Sequence, residues 1–475
     1  MSSTYQNLIG SHRDLSRLPY VIFWIGTLSL LPVAVLFGEM LPLLMALAVI
    51  LAAIAYRRPQ EAAAVGVLYL FACNILLPHS ARFDGVTEPW EMYYWAIGLL
   101  IVTAGGVAGV GLRRVLAVPL SARVFLLAAL AAALYGLTHG ASLSYASRQL
   151  YGILLLIVYL GIALHSGDEE LLLRRIRTFG SILAFCFLVY YIAVFHQYGF
   201  HKEVGFNGTE ACLLAIVIFI PGVLRKKLSW ILSAVALLLI PVLFFMRGAV
   251  LTFLMTLPIA VAMKVKSTKF KVLCWAVSVL IALPALYPPI AQMAIDQISR
   301  VPGMEKFLPP GIQDSDTLLE RAIQLGAALA TVQAHPWLGA GLGSDIEFES
   351  PTQGSRQVAF VDSGWAYLLQ KMGVVGAAAF LWFLITVLRG ISKDSVGLSA
   401  CLVSAVVVTL FSQPVFFHFT SSPFMGSFAG LLLAAQHRRN MSSPSEHPIK
   451  AGAGFFSRLQ QRFSRALSAG RAARA

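Results

Sequence analysis

The chain has 475 residues, of which 58% are hydrophobic and only 12% charged, with a formal net charge of +14. A soluble domain carries about 25% charged residues, so a soluble enzyme or a basic nucleic-acid-binding domain is excluded and a polytopic membrane protein is expected. Its five cysteines (Cys73, Cys186, Cys212, Cys274, Cys401) lie scattered in apolar segments without metal or disulfide spacing.

In chain order, a polar segment with scattered basic residues runs straight into "YVIFWIGTLSLLPVAVLF" with no cleavage signal before it. The expected reading there is a retained first helix. Stretches long enough to cross ~30 Å of hydrocarbon fall near 20–37, 40–56, 61–77, 91–112, 119–138, 149–165, 178–197, 209–224, 228–245, 248–264, 272–288, 364–388, 396–417 and 422–436. The predicted fold is all-α with about 14 transmembrane helices. Residues 1–288 hold spans 1–11, 289–363 form one large outer loop with helices, 364–436 hold spans 12–14, and 437–475 form a basic tail.

Alternating the spans from an inner N-terminus places 26 of the 36 Lys and Arg residues in inner segments and eight outside. Arg123 and Lys371 fall in spans. That asymmetry follows the positive-inside rule and supports both count and orientation. The net charge therefore points to anionic inner-leaflet lipid and not to nucleic acid. In the tail, Phe456, Leu459, Phe463 and Leu467 recur at helical spacing among arginines, as in an amphipathic helix on anionic lipid.

The long outer loop is the expected place for function. Its segment "DTLLERAIQLGAALATVQA" is helix-like, and "AHPWLGAGLGSDIEF" follows it. No ATP or nucleotide sugar reaches that face, and the chain has no phosphate-loop, dinucleotide or zinc-protease motif. Group transfer there needs a donor that arrives activated, such as a sugar on a lipid pyrophosphate. Such a donor calls for cations at the membrane surface and a base for the acceptor hydroxyl.

Arg247, in a minimal turn between two apolar stretches, is the sharpest cation for a pyrophosphate. Lys202 reads as a second clamp or a solvated loop lysine. Arg321 reads as a third clamp or a partner of Glu320 or an acid one turn away. For the base, Asp362 and Ser363 stand at the outer end of the twelfth span, where either also reads as a helix cap. His335 and His418 are outer-face histidines able to titrate near neutrality. Gly339, Gly341 and Gly343 permit a tight turn and close backbone approach to a ligand. Asp314 and Asp316 have the DxD spacing of metal-using transferases but read equally as a helix start, so neither a metal nor a cofactor is expected.

"AHPWLGAGLGSDIEF" followed by "VDSGWAYLLQKMGVVGAAAF" resembles the signature region of the O-antigen ligase and O-antigen polymerase superfamily. "KEVGFNGTEACLLAI" and "FFMRGAVLTFL" resemble that family's upstream basic segments. The resemblance covers roughly residues 200–390. It implies a metal-independent glycosyltransferase of a bacterial inner membrane with its site facing the periplasm. By the same resemblance, Arg247 and Lys202 hold the pyrophosphate of a polyprenyl-linked oligosaccharide donor. Asp362 accepts the proton of an acceptor glycan's hydroxyl or orients the sugar, and inversion follows by direct displacement. Ligases of the family carry histidine where this chain has Asp362, so a polymerase of O-antigen or exopolysaccharide repeat units is favoured over a ligase. A separate chain-length regulator is a compatible partner. A ligase using His335 or His418, and a lipid-linked glycan transporter, are the rival readings.

Overall fold

Apolar runs of 15 to 25 residues satisfy their backbone polar groups within a lipid environment only as helices or closed barrels. This chain takes the first course. A computed structural model describes residues 41–76, 89–182, 184–185, 208–243, 247–264, 267–286, 316–350, 354–358, 363–392, 394–411, 416 and 421–442.

Among the described residues the helices are α1 (Leu41–Arg57), α2 (Ala62–Leu76), α3 (Pro89–Val110), α4 (Leu112–Val115), α5 (Leu120–Thr138), α6 (Leu143–Ser166) and α7 (Glu169–Arg175). They continue with α8 (Gly208–Leu224), α9 (Leu228–Leu243), α10 (Arg247–Lys264), α11 (Thr268–Leu286) and α12 (Asp316–Ala334), then α13 (Gly364–Leu388), α14 (Val396–Phe411) and α15 (Ser422–Ser442). By length and composition α5, α6 and α13 are long and apolar enough to cross a membrane. The described long apolar segments are thus helical. Expected spans 20–37 and most of 178–197 lie outside the described residues, as do loop residues 289–315 and the tail beyond 442. Residues 435–475 form a second compact unit, described only through the last turns of α15.

One element departs from the all-α expectation. Strands β1 (Ile346–Ser350) and β2 (Gly354–Val358) pair antiparallel, with Ile346 opposite Val358 and Ser350 opposite Gly354. The alternation in "IEFES" explains it, since Ile346 and Phe348 are buried while Glu347 and Glu349 are exposed.

The helices approach through small residues, as packing without a hydrophobic driving force requires. A β-carbon at Gly105 or Gly109 on α3 would meet the Ala52 or Ala55 carbonyl oxygen of α1 at 2.4 and 2.7 Å. Likewise Gly426 and Gly430 on α15 sit against the Leu156 and Leu160 carbonyls of α6. Helices α5 and α13 meet through rings: Phe125 lies 5.2 Å from Phe380 and 6.0 Å, stacked, from Phe383. Phe416 then abuts Phe380 edge-on at 5.5 Å.

At one end of the bundle the turn before α2 is tied to α7. The Arg175 guanidinium donates two hydrogen bonds, at 2.7 and 3.0 Å, to the buried Glu61 carboxylate. Truncating one member leaves the other charge stranded. Arg175 keeps a quarter of its side-chain surface, so the expected cost lies below the 3–5 kcal/mol of a fully buried pair. Glu61→Ala should lower stability by about 2 kcal/mol, and adding Arg175→Met should recover part of that loss. A double-mutant cycle on thermal unfolding of the purified protein measures it, and strict additivity would contradict it.

Candidate functional site: a glycine loop set into a broken helix

Helix α13 is not continuous. Gly373 has φ 61° and ψ −164°, a region open essentially to glycine alone. A break leaves the carbonyls of the first half and the amides of the second without helical partners. In a dry interior each such group costs about 2–7 kcal/mol.

The segment after α12 supplies the missing partners. Ala340 N–H donates to the Gln370 carbonyl at 2.7 Å. Val374 N–H donates to the Pro336 carbonyl at 2.9 Å, and Val375 N–H to that of Trp337 at 3.2 Å. The loop also closes on itself, Gly339 N–H donating to the His335 carbonyl at 3.0 Å. The fit is backbone against backbone: a β-carbon at Gly373 would lie 2.3 Å from the Trp337 oxygen.

The other side of the loop is fixed by α5 and α6. Leu342 N–H donates to the Ala132 carbonyl at 3.0 Å, and Gly343 N–H to the buried Gln149 side-chain oxygen at 2.8 Å. Ser142, which caps α6 through the Tyr145 amide, also donates its own N–H to the Gly343 carbonyl at 3.2 Å. Gly341, at φ 89°, is packed so that a β-carbon would fall 2.3 Å from the Gly136 α-carbon. Its close backbone approach is therefore to helix α5.

Beneath the loop lies a polar cluster that the sequence reading did not assemble. Lys371 is fully buried. Its ammonium donates to the Ser344 carbonyl and, at 3.5 Å, to the Ser344 hydroxyl, and sits 5.9 Å from the centre of the Tyr367 ring. Asp345 is the opposite charge acting on it. Gln370, also fully buried, donates to the Ser344 hydroxyl at 3.2 Å, which in turn donates to the Gly341 carbonyl at 2.7 Å. The Gln370 side-chain oxygen has no hydrogen-bond partner among the described residues. An unpartnered acceptor and a buried cation side by side make this knot polar at a depth where polar groups are costly. The available signal was Lys371, a lysine well inside the expected span 364–388.

The anticipated site residues distribute as follows. His335 directly follows α12 with an exposed side chain, and its backbone bonds Thr331 and Gly339. Ser363 caps α13, its hydroxyl accepting from the Ala366 amide at 3.4 Å. Arg247 is the first residue of α10 and Arg321 lies one turn into α12, and in both cases the side chain is outside the described set. Asp362, Lys202, His418 and Asp314 lie outside the described residues, while Asp316 heads α12. Of the anticipated residues, Gly341 lies in the loop that bonds α13 and Ser363 caps that helix, while His335 precedes the loop with its side chain exposed. No cluster of three or more potential metal ligands occurs among the described residues.

Trp337, at the loop's apex, leaves 70% of its surface exposed even though its carbonyl is bound to α13. Val374 and Val375, whose amides bond the Pro336 and Trp337 carbonyls, are exposed as well. No protein-family model matches the chain, and no curated protein matches it at a significant level.

The fitted break sets a direct stability test. Gly373→Ala forces a strained backbone and an overlap with Trp337, and should cost about 3 kcal/mol or more. Gly326→Ala, in open space on α12, should change stability by no more than about 1 kcal/mol, toward greater stability. Thermal unfolding of the detergent-solubilised variants reads both, and equal midpoints would contradict the fitted break.

Proposed function

We propose that the chain is a multi-pass glycosyltransferase that polymerises lipid-linked oligosaccharide repeat units on the periplasmic face of a bacterial inner membrane. In this reading 14 spans carry the chain from an inner N-terminus to an inner tail, and the α12–loop–hairpin region lies outside. The donor is a polyprenyl-pyrophosphate glycan, the acceptor a sugar hydroxyl, and neither metal nor cofactor takes part.

The observation that carries the reading is the joining of two signature-like stretches. Residues 335–345 and 363–376 are separated in sequence, yet they share backbone hydrogen bonds at Gln370, Val374 and Val375. A fixed loop beside a helix break, with the buried Lys371 amine beneath it, supports a rigid polar site of the kind that stabilises a leaving pyrophosphate. On this account Arg247 and Lys202 bind the pyrophosphate, with Arg321 as a further clamp. Asp362 takes the proton from the acceptor hydroxyl. Its oxygen attacks the anomeric carbon as the carbon–oxygen bond to the pyrophosphate breaks, with inversion.

Two other readings have an observation each. His335 borders the same loop with an exposed imidazole, which suits a ligase that draws its histidine from this position. The interrupted α13 with buried Lys371 is a feature that transporters also use.

Glycan length in the native host separates them. Deletion of the gene should leave single repeat units, and Arg247→Ala or Asp362→Asn should reproduce that loss with the protein still present in the membrane. Long chains stranded on the lipid carrier would indicate a ligase, and loss of all outer-face glycan would indicate a transporter.

A further inference from the structure

A second cationic site lies in a different part of the molecule, at the turn between α8 and α9. Helix α8 ends in a Schellman turn: Lys227 N–H donates to the Gly222 carbonyl at 2.9 Å and Lys226 N–H to that of Val223 at 3.1 Å. Lys226 holds the left-handed position at φ 52°, where glycine is usual. This sharp reversal brings Lys227 back over the first turn of α9.

There three cations surround one ring. The Arg177 and Arg225 guanidinium carbons lie 5.5 Å, and the Lys227 ammonium 5.6 Å, from the centre of the Trp230 ring. Trp230 is 1% exposed, and among the described residues its indole N–H has no acceptor. One carboxylate serves the group. Glu170 pairs with Arg225 at 2.8 Å and with Arg174 at 3.6 Å. Partial burial pushes the Glu170 carboxyl up, but the hydrogen bond and charge of Arg225, with Arg174, outweigh it and hold the group below the usual carboxylate range. It is therefore ionised and already committed. Among the described residues Arg177 and Lys227 have no ion-pair partner, although Glu170 stands in the same cluster.

The surroundings identify the missing anion. Leu228, Leu232, Val235 and Leu239 are all exposed, and their spacing puts them on one face of α9 running away from the cations. Exposed Val223 and Leu224 flank the turn. A soluble phosphate has no use for that apolar stripe, whereas a lipid matches both parts, headgroup on the cations and acyl chain along α9. In the orientation proposed above, this turn faces the anionic inner leaflet, where each basic residue contributes to lipid attraction.

We propose that Arg177, Arg225 and Lys227, arranged around Trp230, form a binding site for the phosphate headgroup of an anionic phospholipid. The site is separate from the glycine loop and does not depend on the catalytic reading.

The test uses the full-length protein in phosphatidylcholine nanodiscs with increasing phosphatidylglycerol at fixed ionic strength, read by the thermal unfolding midpoint. Phosphatidylglycerol should raise the midpoint in a saturable way, and inorganic phosphate added to phosphatidylcholine discs should not. Arg177→Gln with Lys227→Gln should raise the half-saturating lipid content about twenty-five-fold, roughly fivefold per charge removed. Lys269→Gln with Lys271→Gln, an equal loss of charge at the start of α11, should shift it less than about twofold. The proposal is overturned if both pairs weaken lipid binding alike, if phosphate alone reproduces the rise, or if wild-type protein shows no rise. The last two outcomes need no variant, so a misfolded mutant does not protect the idea.

Discussion

A helix interrupted inside an apolar bundle must find partners for the amides and carbonyls it gives up. In α13 that obligation falls at Gly373, and residues 336–340 meet it. The rest of the loop's placement follows. The loop can present its carbonyls to α13 only by turning through Gly339, Gly341 and Gly343, all at positive φ. Those turns bring it against α5 at Ala132 and Gly136 and against α6 at Gln149. The consecutive helices α5 and α6 are thereby locked to the distant α13 by one segment. The aromatic seam of Phe125, Phe380 and Phe383 below it holds α5 and α13 at the spacing the loop needs.

The same arrangement places polar groups in the interior. Seating the loop sets the half-buried Ser344 against the fully buried Lys371 and Gln370, both of which donate to Ser344 oxygens. Asp345 supplies the opposite charge that acts on the lysine. The cationic turn around Trp230 lies elsewhere in the fold, with exposed side chains and an apolar stripe beside it.

Much of the helical frame was legible in the sequence because hydropathy reports directly on lipid exposure. The expected span 364–388 and the helix Gly364–Leu388 coincide, and 119–138 differs from Leu120–Thr138 by one residue. The expected 149–165 missed the start of α6 because "LSYASRQ" is polar, although Ser142 provides the cap that begins the helix. The amphipathic pattern of α12 was legible as well. Gly373 was not, since a glycine within an apolar run reads as tolerated and nothing local announces that another segment will fill the gap. Gln149 as the partner of Gly343 is a contact between residues 194 apart, beyond the reach of any spacing argument. The hairpin at 346–358 did carry a signal in its two-residue alternation, masked by its place inside a loop expected to be helical.

The most direct test of this account is amide hydrogen exchange across residues 336–344 in the membrane-embedded protein. The N–H groups of Gly339, Ala340, Leu342 and Gly343 all donate to fixed acceptors on the loop, α13, α5 and α6. The account predicts that this glycine-rich peptide exchanges as slowly as the flanking helices and that Gly373→Ala releases it. Exchange at the rate of an open loop in the wild-type protein would contradict the claim that the segment completes the broken helix.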